Sequence, residues 1–170
     1  MIKPILVNIF RFVFLVLLQV FFLPNLSIYH LAVPFLYVLF IILLPVDISS
    51  FMLFILSFLM GFTVDAFSNT LGLNTSACVF MAFCRISILK VMIPKGNEFL
   101  PEPSIKNFGF NWFLTYSAIL VVLHHLFLFN VEYFRLSEFF ATSMKAIISS
   151  VYTLILIILS QYLFGSRKVR

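Results

Sequence analysis

Long stretches without a single charge set the terms for this chain. Residues 12–46, 48–64, 66–84, 107–131 and 146–166 contain no Asp, Glu, Lys or Arg. A helix crossing a bilayer needs about 20 mostly apolar residues. Continuous apolar runs point to helices, because the strands of a membrane barrel alternate apolar and polar positions in blocks of about ten. The first run is too long for one helix, and it contains Pro24-Asn25, a turn dipeptide whose proline cannot continue helical bonding. The segments read as 4–23, 28–44, 48–64, 74–93, 110–130 and 139–164. Composition agrees: 63% of residues are hydrophobic, 10% are charged, and the mean hydropathy is +1.16. A soluble domain is about half apolar and about a quarter charged, so a water-soluble fold is excluded. So is a disordered chain, which needs low hydrophobicity and high charge. Two cysteines exclude a disulfide scaffold. The expected fold is an all-α integral membrane protein, one domain over residues 1–170 with six transmembrane helices.

Lys and Arg orient it. With the N-terminus in the cytoplasm, that side receives Lys3, Arg11, Arg85, Lys90, Lys95, Lys106, Arg167, Lys168 and Arg170, leaving Arg135 and Lys145 near the other face. This positive-inside bias places both termini in the cytoplasm. It explains the net charge of +5 by topology and anionic lipid headgroups rather than by nucleic acid, which needs a solvated basic surface. The run after Lys3 and Arg11 ends in Leu23-Pro24-Asn25-Leu26 without a small-x-small cleavage pattern, so it reads as an uncleaved first helix. Outer loops fall at 25–27, 65–73 and 131–138. The longest polar segment, 94–107, has prolines at 94, 101 and 103 and reads as a cytoplasmic connector or as a docking segment for a cytoplasmic partner.

The densest polar stretch runs from Gly61 to Asn74. Gly61 lies one turn before Asp65, so a neighbouring helix can approach that face closely. Ser68, Asn69, Thr70 and Asn74 offer donors to the Asp65 carboxylate, and Gly72 can adopt the positive φ of a sharp reversal. The stretch reads as a hydrogen-bonded helix turn, or as a recognition surface. His124 and His125 point about 100° apart on a helix and cannot share one metal. They read as packing histidines, with Ser117 on the face of His124. Thr142, Ala146, Ser149, Thr153 and Ser160 form a small-residue stripe suited to close helix packing, within the chain or with a partner. Arg85 lies about 12 Å from Ile93, deep enough to require a partner or a protein-facing position. Lys90 can snorkel to the headgroups, and Asp47 is placed to meet Lys90 or Lys95. Cys78 and Cys84 face different ways and read as buried structural thiols. No catalytic, cofactor or metal motif is present: His-Glu-x-x-His, Gly-x-Ser-x-Gly and the P-loop are all missing.

The pattern Gly-x-x-x-Asp-x-x-Ser-x-x-x-Gly with a following polar residue, here Gly61, Asp65, Ser68, Gly72 and Asn74, resembles the rod-shape-determining MreD family. Helix five departs from that family, with His124 and His125 where some relatives carry an acid. The resemblance implies a non-catalytic scaffold of the cell-elongation complex in the bacterial inner membrane. It also implies partners: a single-span MreC-like protein, MreB, RodA and a class B penicillin-binding transpeptidase. The implied fold is similar to the substrate-binding membrane subunit of energy-coupling-factor transporters, which makes a vitamin-transport subunit the alternative function.

Overall fold

The computed structural model describes residues 2–26, 32–70, 72–93, 102–133 and 139–164. Its helices are α1 (Ile2–Leu17), α2 (Val38–Ile42), α3 (Ser50–Ser68), α4 (Leu73–Met92), α5 (Ile105–Phe108), α6 (Phe110–Tyr133) and α7 (Phe139–Phe164). A π turn (Leu18–Phe22) and a 3-10 turn (Leu23–Leu26) prolong α1. Among the described residues, five segments are long and apolar enough to cross a membrane: Leu6–Leu26, Ser50–Ser68, Leu73–Met92, Phe110–Tyr133 and Phe139–Phe164. The architecture is that of an all-α, multi-pass membrane protein with five long helices.

Local chemistry sets the helix ends. The Ser49 hydroxyl accepts the Met52 N–H at 3.3 Å and starts α3. At its other end Asn69 takes the left-handed conformation, φ 55°, that asparagine tolerates. Asp65 therefore lies in the last turn of α3, and the reversal expected over 65–73 is shorter than that. At the far end of α6 the helix continues to Tyr133, which shortens the loop expected at 131–138; residues 134–138 lie outside the described residues.

α3, α4, α6 and α7 pack in that order, with α1 against α2 and α3. Phe14 meets Phe164 edge to face, with ring centroids 6.3 Å apart, and the Tyr152 hydroxyl donates to the Leu26 carbonyl at 3.2 Å. These contacts bring α7 back to α1 and close a ring of five long helices. We call the end bearing the α3–α4 reversal the turn end and the other the α5 end.

The centre of the ring is filled by the described part, 32–44, of the segment expected to be a second long helix, and eight of these thirteen residues are not helical. Residues 28–31 lie outside the described residues, 33–35 form no helix, and helix is confined to α2. Two prolines give the reason. Pro34 lacks an N–H and steers Val33 away from helical geometry, and Pro45 does the same to Leu44. Every residue from Leu36 to Leu44 is at most 7% exposed. Irregular backbone is tolerated at membrane depth where protein surrounds it, and here it does. Contacts of this segment descend from Asn74, in the first turn of α4, to Arg85. That is eleven residues of α4, about 16 Å.

The α5 end is tied down by polar and aromatic contacts. Trp112 donates its indole N–H to the Met92 carbonyl at 3.2 Å and stacks between Phe108 and Tyr116, with centroids 4.0 and 5.0 Å away. The ion pair found among the described residues is Arg11–Glu102, at 2.8 Å. Asp47 forms none with Lys90, which is exposed in the last turn of α4; Lys95, with the rest of 94–101, lies outside the described residues.

Candidate functional site

Asp65 is the hub of the turn end. Its Oδ1 accepts from the Thr70 hydroxyl, the Asn74 backbone N–H (3.1 Å) and the Asn74 side-chain amide (2.9 Å). Its Oδ2 accepts from the Thr75 N–H (2.8 Å) and hydroxyl (2.6 Å). The N-cap of α4 is Gly72, at φ 79°, which has no side chain to cap with. A carboxylate from the preceding helix does that work, placing negative charge where a helix N-terminus favours it. Gly61 makes this reach possible. A Cβ there would lie 2.5 Å from Thr75 Cα and 2.7 Å from the Asn74 carbonyl oxygen, so α3 and α4 touch backbone to backbone. Thr70 and Asn74 donate to Asp65 as the sequence indicated. Asn69 contributes its backbone as the C-cap, and the exposed Ser68 makes no bond to Asp65.

From Asn74 the polar contacts continue inward. The Tyr37 hydroxyl donates to Asn74 Oδ1 at 2.8 Å and lies 3.0 Å from His124 Nε2. With its one proton given to Asn74, Tyr37 accepts from His124, which therefore carries its proton on Nε2. His124 Nδ1 is left buried without a partner. Asp65, Asn74, Tyr37 and His124 thus form one connected network; Asp65 and Asn74 are 4% and 5% exposed and the other two fully buried. Ser117 is not part of it. Its hydroxyl turns back to the Phe113 carbonyl at 2.7 Å, and the shared face with His124 produces no bond between them.

A second set of contacts involves His125 and the stripe on α7. His125 Nδ1 donates to the Val121 carbonyl (2.8 Å), leaving Nε2 to accept from the Thr153 hydroxyl (3.0 Å). Thr153 in turn accepts the Phe35 N–H at 3.1 Å, and Ser149 accepts the Val33 N–H at 3.0 Å. Gln19 donates to the Pro34 carbonyl at 3.1 Å. The buried hydroxyls of the stripe thus satisfy non-helical backbone of the chain's own central segment.

At the other end of that segment Arg85, 1% exposed, takes the role of clamp. Its guanidinium donates to the Leu44 and Pro45 carbonyls and to the Tyr116 hydroxyl (2.9 Å), while Tyr116 donates to the Ile42 carbonyl (3.3 Å). Ile42 is the last residue of α2 and Leu44 and Pro45 follow it, so these acceptors lie at and just beyond the end where a helix leaves carbonyls unpaired. The expected protein-facing position of Arg85 is met by backbone rather than by a carboxylate.

Among the described residues no three His, Cys, Asp or Glu gather to hold a metal, and Cys78 and Cys84 are free thiols. Tyr37, Thr75, Tyr116, Gln19 and Phe35 all contribute to these contacts and were not singled out by the sequence. The signal for Tyr37 was a hydroxyl inside an otherwise apolar run, and for Thr75 its place three residues beyond a glycine N-cap. No protein-family model, curated protein or solved structure matches the chain.

Proposed function

We propose that this protein is a non-catalytic scaffold of the bacterial cytoplasmic membrane, acting as members of the MreD family do in organising lateral-wall synthesis. One observation carries the reading: the centre of the helix ring, where a transported substrate would sit, is filled by Leu36–Leu44. Polar side chains at both ends of that segment are engaged in holding it. The competing reading, a vitamin-binding transport subunit, needs a polar pocket open at the turn end. What the protein offers outward is apolar helix surface, including Phe51, Phe58 and Phe62 on α3 and Ile147, Val151 and Ile155 on α7. Helices associate in lipid by packing and a few hydrogen bonds.

In this reading the central segment counts as a crossing. The chain then passes the membrane six times, with both termini and the α5 end in the cytoplasm, as the Lys and Arg distribution requires. Its partners are a single-span MreC-like protein and, through it, MreB, RodA and a class B penicillin-binding transpeptidase. Crosslinking in cells followed by mild-detergent purification tests this. Recovery of the single-span partner with wall-elongation proteins, together with rounding of rod-shaped cells on depletion, is expected. Recovery of an ATP-hydrolysing transport module, with vitamin uptake lost on depletion, overturns it.

A further inference from the structure

The two ends of the central segment are held by different chemistry. At the α5 end a cationic guanidinium and a tyrosine grip three carbonyl groups within residues 42–45: Ile42 binds Tyr116, while Leu44 and Pro45 bind Arg85. Hydrogen bonds from a charged donor are the stronger kind. At the turn end the groups that bind the segment are neutral: Ser149 on the Val33 N–H, Thr153 on the Phe35 N–H, Gln19 on the Pro34 carbonyl, and Asn74 and His124 on the Tyr37 hydroxyl. Two buried polar atoms without partners, Gln19 Oε1 and His124 Nδ1, belong to this same end. A partly satisfied polar network is the weaker place in a packed interior. The Phe35 ring packs at this end, its centroid 5.3 Å from that of His125, 6.3 Å from that of His124 and 6.0 Å from that of Phe129.

We propose that residues 32–37 form a gate over the His124–His125 pair, latched shut by the Ser149 and Thr153 hydroxyls and hinged at α2. Opening moves Phe35 off the two imidazoles and parts Tyr37 from Asn74 and His124, admitting water to the unpartnered Nδ1 of His124. Pro34 suits the first position of a helix, so the released stretch can extend α2 backward by one turn. The Arg85 clamp keeps residues 42–45 in place throughout. This inference does not rest on the scaffold reading.

Native Cys78, fully buried beside Tyr37, reports the open state. The full chain is placed in lipid nanodiscs with Cys84→Ala, and the rate of Cys78 modification by a small water-soluble methanethiosulfonate is measured. A companion chain carrying Cys78→Ala, Cys84→Ala and Leu44→Cys reports the clamped end. Adding Ser149→Ala with Thr153→Val is expected to raise the Cys78 rate at least tenfold and leave the Leu44→Cys rate unchanged. Thr153→Ser, which keeps the hydroxyl, is expected to leave Cys78 at its original rate. Cys78 protected in the double variant overturns the proposal. So does equal acceleration of both thiols, which would mean that the segment loosens as a whole, and so does a Thr153→Ser variant as reactive as the double variant.

Discussion

Asp65 ties two helices together with one carboxylate, and its substitutions separate charge from shape. Asp65→Ala strips the acceptor from the Asn74 and Thr75 N–H groups at the start of α4. Each buried donor left unpaired costs about 1–3 kcal/mol, so a loss of about 3 kcal/mol or more is expected in denaturation from micelles. Asp65→Asn keeps one acceptor oxygen and should lose less; equal loss would show that the cap is not what matters. Gly61→Ala inserts a methyl group where two backbones touch and should cost about 1–3 kcal/mol by overpacking. Unchanged stability would contradict the close approach of α3 to α4. Gly61, Asp65 and Asn74 were legible because glycine, a carboxylate and short polar donors stand out in an apolar chain. Thr75 was not, since its role depends on where α4 begins. Ser68 carries the same chemistry as its neighbours but faces outward on the last turn of α3, a matter of angle that spacing alone left open.

The elements themselves were legible to different depths. Charge-free runs located α3, α4, α6 and α7 within a few residues, because a lipid-exposed crossing must be a continuous apolar helix. That rule fails for the central segment. A buried apolar run reads alike whether it is helical or not, and Pro34 and Pro45 were the sole marks that it is broken. Arg85 belongs to this scale too, since its partners are carbonyls freed where α2 stops. Arg85→Met is expected to lower the folded fraction in the membrane, while Lys90→Met, at an exposed position, leaves it unchanged. Comparable losses from the two would show that the clamp does not hold the segment. Arg85→Lys should fall between wild type and Arg85→Met, because an ammonium lacks the planar fork that reaches several acceptors at once.

Across the whole molecule, the turn end and the α5 end lie at opposite ends of the helix ring. With Cys78 and Cys84 replaced, Ser68→Cys should react with an impermeant thiol reagent in intact cells, and Lys106→Cys only after permeabilisation. Labelling of Lys106→Cys in intact cells would reverse the proposed orientation. The hydroxyl bonds from α7 to the central segment also have a meaning in time. They join residues 116 and 118 positions apart, and the Tyr152–Leu26 bond spans 126. Contacts of such separation are slow to form. Here they wait on synthesis as well, since α7 leaves the ribosome after every other element described. Until it does, Val33 and Phe35 have nowhere in the protein to place their N–H groups, so one of the earliest stretches to be translated is among the last to settle.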